Sequence, residues 1–580
     1  MDITNVLLNK NPPELRRFLK ENQNLLVAVF VFSFFVNALM LTGPIFMLQI
    51  YDRVLSSRSE ETLVALVLLV TFLFLLMGLL DYSRGRVMAR VGAKFQLSLN
   101  RNVFSAVLRE TTQVDTGTNS SGGLKALEDV QRLFTSPVFF VMFDIIWTPV
   151  FLLLLFIFHP WIGFLGVIGG AILIFAALLN QRFATPPAEE ANSATTEASQ
   201  FAGKIAAHAE LLKAQGMHES FFARWRSVST GALVRTVLAS DKIGAFSAFS
   251  RTFRLFLQAS VFGLGAYLVL QGEITAGVMI AASIILGRAL APVDQLIGNW
   301  ILFVKARQGW IVLKNLLSRF SEGEKLISLP PPRAILRVET ISVLPPGASQ
   351  NVLNGISFSL DPGQALAVIG PSGAGKSALA SALTGIWPLS RGEIRIDGAA
   401  LDHYGSEDFG KYIGYLPQKV DLFPASIAEN IARMRIDYED VDVINAAKKV
   451  GAHEMILRLP QGYDTQLNQR GGGLSGGQIQ RIGLARAIFG DPAILFLDEP
   501  NSSLDEPGAK ALNTAIHQAK KAGKAVVIMT HRPLAIAECE LLLIIEGGIQ
   551  RAFGERDVIL KRYVQNHQQI KNDITSKSSK

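Results

Sequence analysis

The feature that most limits how this chain can fold is a series of apolar runs in its N-terminal half. The clearest are residues 25–48 (LLVAVFVFSFFVNALMLTGPIFML), 63–80 (LVALVLLVTFLFLLMGLL), 137–158 (PVFFVMFDIIWTPVFLLLLFIF) and 161–180 (WIGFLGVIGGAILIFAALLN). Two weaker runs lie at about 253–270 and 277–298. Most reach the roughly 18–20 residues a helix needs to cross a bilayer. A core helix of a soluble protein carries a polar face, and the first four runs carry none. The sequence therefore predicts six spanning helices in a lipid bilayer. Composition agrees, with 49% hydrophobic and 18% charged residues and a mean hydropathy of +0.31.

Basic residues set the expected orientation. Arg84, Arg86, Arg90, Lys94 and Arg101 follow the second run, Arg182, Lys204 and Lys213 the fourth, and Lys305, Arg307, Lys314 and Arg319 the sixth. The opposite loops are short, and only the first of them carries arginines, Arg53 and Arg58. The excess of Lys and Arg on one side predicts that both termini are cytoplasmic. It also accounts for the net charge of +8 without a nucleic-acid partner. The inside loops, about 81–136 and 181–252, read as helical extensions into the cytoplasm. The first twenty residues show no cleavable signal. Cys539 is the sole cysteine, which excludes an intrachain disulfide and a cysteine metal cluster.

Composition changes near residue 320. Residues 1–320 are read as the membrane domain and 321–335 (SEGEKLISLPPPRAI) as a linker, stiffened by Pro330, Pro331 and Pro332. From 336 to 566 short β-rich runs alternate with helices, which predicts an α/β domain around a parallel sheet. Residues 567–580 are polar, rich in Lys and Ser, and expected to be disordered.

The α/β region carries the chemistry. Residues 365–383 (ALAVIGPSGAGKSALASAL) read as strand, loop and helix. The loop is Gly370, Pro371, Ser372, Gly373, Ala374, Gly375, Lys376 and Ser377, with Ala378 continuing into the helix. This is the P-loop pattern, in which glycines let backbone N–H groups close round phosphates. Lys376 would reach the β and γ oxygens, and Ser377 would offer its hydroxyl to Mg²⁺. Residues 493–500 (AILFLDEP) form an apolar strand ending in two acids. Asp498 is placed to hold Mg²⁺. Glu499, one residue on, points elsewhere and can polarise an attacking water. Residues 471–487 (GGGLSGGQIQRIGLARA) are a Gly-rich turn opening a helix, an anion site whose core, Leu474–Gln478, has no acid or base of its own.

With these motifs in this order, residues 336–560 resemble the ATP-binding cassette family. The resemblance extends to Gln418 in YLPQ, to Ser503, Leu504 and Asp505 after the acids, and to His531 in VVIMTHRP. It implies the architecture of an ABC exporter, an all-α six-helix transmembrane domain followed by an α/β P-loop ATPase, with ATP and Mg²⁺ as ligands. It implies that Gln418 senses Mg²⁺ and that His531 contacts the γ-phosphate. It also implies that Ser475, Gly476, Gly477 and Gln478 close on ATP held by a second copy, with Asp505 at the same junction. One cassette per chain then means a homodimer.

Three positions depart from the family pattern. No aromatic stands in 341–349 (ISVLPPGAS) to stack adenine, which leaves Val343, Leu344 or Pro345 as apolar substitutes. Gln469 stands where an acid is usual, and Ile479 where a basic residue is common.

Residues 47–63, 143–151, 285–300 and 414–433 are most similar to type I secretion ATPases, in the protease-secretion branch. That resemblance implies a bacterial inner-membrane protein working with a periplasmic membrane-fusion adaptor and an outer-membrane channel. It implies unfolded polypeptide substrates with C-terminal signals, often glycine-rich calcium-binding repeat proteins. A lipid or small-molecule exporter of the same architecture and a non-pumping regulator or channel are the alternatives. Asp144, Arg288 and Asp294 fall inside apolar runs, and an Arg288–Asp144 pair is expected to steady the bundle or line the path.

Overall fold

The computed structural model describes residues 12–113, 122–320, 329–468, 473–531 and 536–563. Gln469 and the region from 564 onward, including the expected tail, lie outside the described residues. The chain forms two compact units, one built from the apolar helices and the other holding the β-sheet.

In the first unit the described residues contain six helices long and apolar enough to cross a membrane. They span Gln23–Ser57, Glu60–Thr112, Val138–Phe158, Pro160–Ala207, His218–Leu270 and Ala276–Gly298. Three run well past the apolar stretch that defines them. The helix Glu60–Gln113 has 54 residues, Pro160–Ala207 has 48 and His218–Leu270 has 53. The expected helical extensions therefore continue the second span to Gln113, the fourth to Ala207 and the fifth from His218, while Gly122–Thr135 and Ala209–Ala214 are separate helices.

Two spans are interrupted. Gln23–Leu39 ends before a new helix starts at Thr42, and Pro44 sits in the first turn of the latter, where its missing N–H costs nothing. Val138–Asp144 passes through a 3₁₀ turn at Ile145–Trp147 before Thr148–Phe158, again with a proline, Pro149, in the first turn. At one end of the bundle Asp52 accepts hydrogen bonds from Thr275 Oγ1 (2.6 Å) and the Gly277 N–H (3.0 Å). It thereby caps the N-terminus of Ala276–Gly298 with a negative charge.

The second unit is built on a ten-stranded sheet ordered β5-β4-β1-β2-β10-β9-β3-β8-β7-β6. Strands β1 (Leu336–Val343), β2 (Leu353–Leu360), β4 (Leu389–Ile396) and β5 (Ala399–Ala400) form an antiparallel arm. Strands β9 (Leu541–Glu546), β3 (Ala365–Ile369), β8 (Ala525–Met529), β7 (Ile494–Asp498) and β6 (Ile413–Leu416) are parallel neighbours. Strand β10 (Ile549–Glu555) joins the two parts. The parallel strands read ALAVI, ILFLD and AVVIM because both sheet faces are covered. Side chains alternate between two cores: Ala365, Ala367, Leu495 and Leu497 face one, and Leu366, Val368, Ile494 and Phe496 the other.

Candidate ATP site

Sheet register brings the predicted residues together. Leu416, Leu497, Ile528 and Ala367 lie in one row across β6, β7, β8 and β3. One step further, Asp498, Met529 and Val368 are level. The P-loop leaves β3 just beyond this row, Asp498 and Glu499 close β7, His531 follows β8, and Gln418 lies two residues past β6. Four parallel strands thus deliver one chemistry-bearing segment each to the carboxyl edge of the sheet, where ligands of open α/β sheets bind.

The P-loop is shaped by close approach. A Cβ on Gly370 would stand 2.2 Å from the Ile545 carbonyl oxygen, so no larger residue fits there. Gly373 and Gly375 adopt φ of +79° and +101°, which side chains disfavour. The Lys376 ammonium donates to the carbonyls of Gly370 (2.8 Å) and Pro371 (3.0 Å), so the lysine folds back over its own loop. The helix Lys376–Leu383 starts here with its N-terminus toward the cradle, a site for phosphate.

Asp498 is 2% exposed. Burial raises its pKa, against the lowering effect of the Ser377 hydroxyl and of Lys376. Its Oδ1 is buried and lacks a hydrogen-bond partner. An orphaned carboxylate oxygen beside a serine hydroxyl, at the mouth of a phosphate loop, fits a divalent cation. Asp498 and Ser377 would hold Mg²⁺, which would neutralise charge on the β- and γ-phosphates. Glu499 turns the other way. Its φ is +48°, a left-handed backbone that costs a non-glycine residue about 1 kcal/mol. Its N–H donates to the Met529 carbonyl at 2.9 Å, and its Oε1 lies 3.2 Å from His531 Nδ1. The two acids, adjacent in sequence, therefore have separate surroundings.

The LSGGQ turn is a helix cap. Ser475 Oγ accepts from the Gln478 N–H, and Gln478 Oε1 accepts from the Ser475 N–H at 2.8 Å. This capping box heads the helix Gly476–Ile488 and leaves its first-turn N–H groups at an exposed end. The Gln478 side-chain oxygen is committed to that cap. Asp505 caps the next helix, Glu506–Lys521, through the Gly508 N–H, and pairs with Arg481. The Arg481 hydrogen bond holds the Asp505 carboxyl below its usual range. Gln418 is exposed.

Of the three residues expected to hold adenine, Val343 is fully buried in the core and cannot contact a base, whereas Leu344 and Pro345 are half-buried. Tyr404, 8% exposed, packs in the same core with its hydroxyl directed at the Ile396 carbonyl, and Tyr412 lies against it.

Over 545 residues, covering 93% of each chain, the sequence is 41% identical to the type I secretion system ATP-binding protein PrsD of Rhizobium meliloti (strain 1021). The chain belongs to the ABC transporter family. Models of the ABC transporter transmembrane region and of the ABC transporter match residues 26–290 and 353–502. This ABC transporter is also 27% identical to the cyclolysin secretion/processing ATP-binding protein CyaB of Bordetella pertussis, over 93% of this chain and 76% of that one. A bacterial Atm1-family ABC exporter with ATP bound shares its fold at a TM-score of 0.78, with 23% identity over 95% of this chain and 98% of that one. The transporter is thus an ATPase with a membrane-spanning helical unit.

Three side chains that brace these segments escape motif reading. Gln480, 3% exposed, donates from Nε2 to the carbonyls of Glu499 (3.3 Å) and Pro500 (2.9 Å) and accepts from Ser502 Oγ (3.1 Å). Arg481, next to it, holds Asp505. Arg433 donates to four carbonyls, those of Gly410, Ile413, Arg486 and Ala487, at 2.6–3.1 Å. It fastens the end of the LSGGQ helix to the start of β6, and burial pulls its pKa down to about 10. A polar residue in line with buried Leu484 and Ala487 on one helical face is the sequence signal for Gln480.

In the membrane unit the expected Arg288–Asp144 pair is not formed. Asp144 accepts from Asn37 Nδ2 (2.7 Å) and from Arg84 Nη1 (3.2 Å), and Arg84 also reaches Asp81 and Ser33. The Arg84 guanidinium stands 4.6 Å over the Phe140 ring. The helix ending at Asp144 packs both on Gln23–Leu39, which supplies Asn37, and on Ala276–Gly298, which carries Arg288, yet it is Arg84, from Glu60–Gln113, whose side chain reaches the carboxylate. Arg288 is exposed on its helix, and Asp294 pairs with Arg254 at 3.4 Å.

Proposed function

We propose that two copies of this chain form an inner-membrane exporter with both termini cytoplasmic. ATP hydrolysis drives unfolded polypeptides with C-terminal signals across the envelope. An adaptor and an outer-membrane channel complete the route. The observation that carries this reading is the joining of an intact ATP site to a six-span unit in a chain 41% identical to a type I secretion protein.

In this reading ATP lies along the cradle Gly370–Ala378, with Lys376 at the β and γ oxygens. Glu499 orients water, and His531, 3.2 Å from it, faces the γ-phosphate. Ser475–Gln478 and Asp505 of the second copy close the site. Gln418 follows the cation.

The test is secretion. Deleting the gene should remove particular polypeptides from the medium. The wild-type chain should restore them, and a Glu499→Gln chain present at equal level should not. An unchanged set of secreted proteins, with a change in envelope lipid or in export of a small molecule, would overturn the polypeptide reading.

A further inference from the structure

We propose that Gln480 is a positioning residue for Glu499, carrying the placement of the LSGGQ turn to the carboxylate that faces water. The proposal rests on the reading of Glu499 given above.

Glu499 occupies a left-handed backbone, φ +48°, directly after an extended strand. Such a turn holds its shape only when its surroundings over-determine it. Two of its fastenings come from the sheet and the turn itself: the Glu499 N–H to Met529, and the Ser502 N–H to the Glu499 carbonyl. The third comes from elsewhere. Gln480 stands on the LSGGQ helix, and its amide nitrogen bridges the carbonyls of Glu499 and Pro500 while its oxygen takes the Ser502 hydroxyl. One side chain thus fixes both ends of the turn. The same helix presses on the segment again at Gly477, where a Cβ would stand 2.9 Å from the Ser503 carbonyl. The turn bearing Glu499 is therefore bedded on the first two turns of that helix, and a shift of the helix moves the carboxylate.

Ser475–Gln478 is read as touching ATP held by the second copy, while Glu499 serves ATP held by its own. Gln480 then spans the two ATP sites inside one chain.

The experiment uses the full-length purified transporter in lipid. Gln480→Met keeps the bulk and removes all three hydrogen bonds. Gln480→Glu keeps an acceptor for Ser502 and removes the amide donors. Both should cut kcat about tenfold, with ATP affinity measured in EDTA unchanged within twofold, because the P-loop does not touch Gln480. In a Glu499→Gln background, Gln480→Met should leave the residual turnover unchanged within twofold, since Gln480 acts through Glu499.

Wild-type kcat in Gln480→Met would overturn the proposal. So would wild-type kcat in Gln480→Glu, which would make the amide donors dispensable. An equal fall in both backgrounds, or ATP binding and melting temperature falling with kcat, would assign Gln480 to the fold alone. Full turnover in Glu499→Gln itself would defeat the reading of Glu499, a result separate from all of these.

Discussion

His531 Nδ1 stands 3.2 Å from Glu499 Oε1, whereas the neighbouring Asp498 is buried on the other side of the strand end against Ser377. The pair Glu499–His531 is exposed enough to meet a water and a phosphate, and Asp498 is placed for a cation. Substitution should separate these roles. Glu499→Gln should retain ATP binding and lose turnover by about two orders of magnitude, the scale of a lost general base. Lys376→Ala should weaken binding itself. Parallel ATP binding and steady-state hydrolysis on the purified variants check both.

Pairing of the LSGGQ turn with a second copy is tested by complementary lesions. A dimer with Lys376→Ala in one chain and Ser475→Arg in the other places both faults at one ATP site and leaves the other whole. It should bind about one nucleotide per dimer. Binding no better than that of the two homodimeric variants would contradict head-to-tail assembly.

Base selectivity should be modest. Val343 and Tyr404 are core residues, and Tyr412 packs against the core, so Leu344 and Pro345 offer an apolar but non-aromatic surface. Absence of stacking costs about 1 kcal/mol, less than a tenfold preference. Competition between ATP and GTP should show discrimination of that order. A hundredfold preference would require an aromatic from elsewhere.

Asp144 and Arg84 should behave as one structural unit. Each is largely buried, and removing one partner strands the other, at roughly 3–5 kcal/mol. Asp144→Ala and Arg84→Ala should each lower the melting temperature, and the double variant should cost less than the sum. Arg288→Ala, at an exposed position, should leave the melting temperature unchanged. Thermal melts of these four variants in one lipid or detergent decide the matter.

Arg433→Lys should reduce hydrolysis. A lysine keeps the charge but cannot reach four carbonyls in a fixed fork. The end of the LSGGQ helix and the start of β6, which leads to Gln418, would lose a shared fastening. Comparing kcat with nucleotide affinity in that variant measures how far the loss reaches turnover and spares binding.

Much of the site was legible because its motifs are local. A strand, a glycine turn and a helix lie within twenty residues at Ala365–Leu383, and their geometry follows from backbone chemistry alone. The spans were legible because continuous apolarity needs no partner to be read. What escaped depends on tertiary approach. The partner of Asp144 is set by which face of each neighbouring helix turns toward it, and depth in the membrane, the basis for expecting Arg288, says nothing of azimuth. Gln480 and Arg433 bond to backbone carbonyls, which every residue has, so no complementary residue type marks their targets. Pro44 and Pro149 lie just after the breaks at residues 40–41 and 145–147, yet the continuous apolar runs pass straight through them.

The helices Glu60–Gln113 and His218–Leu270 continue far beyond the lipid-facing stretch without a break. At helical rise each is roughly 80 Å long. A rod of that length turns angle into distance, and a tilt of about 5° at one end displaces the other by roughly 7 Å. Small rearrangements among the packed spans are thereby magnified at the far ends of these helices. A pair of distance labels, one at the far end of each of these two helices, would register them long before a pair placed within the bilayer.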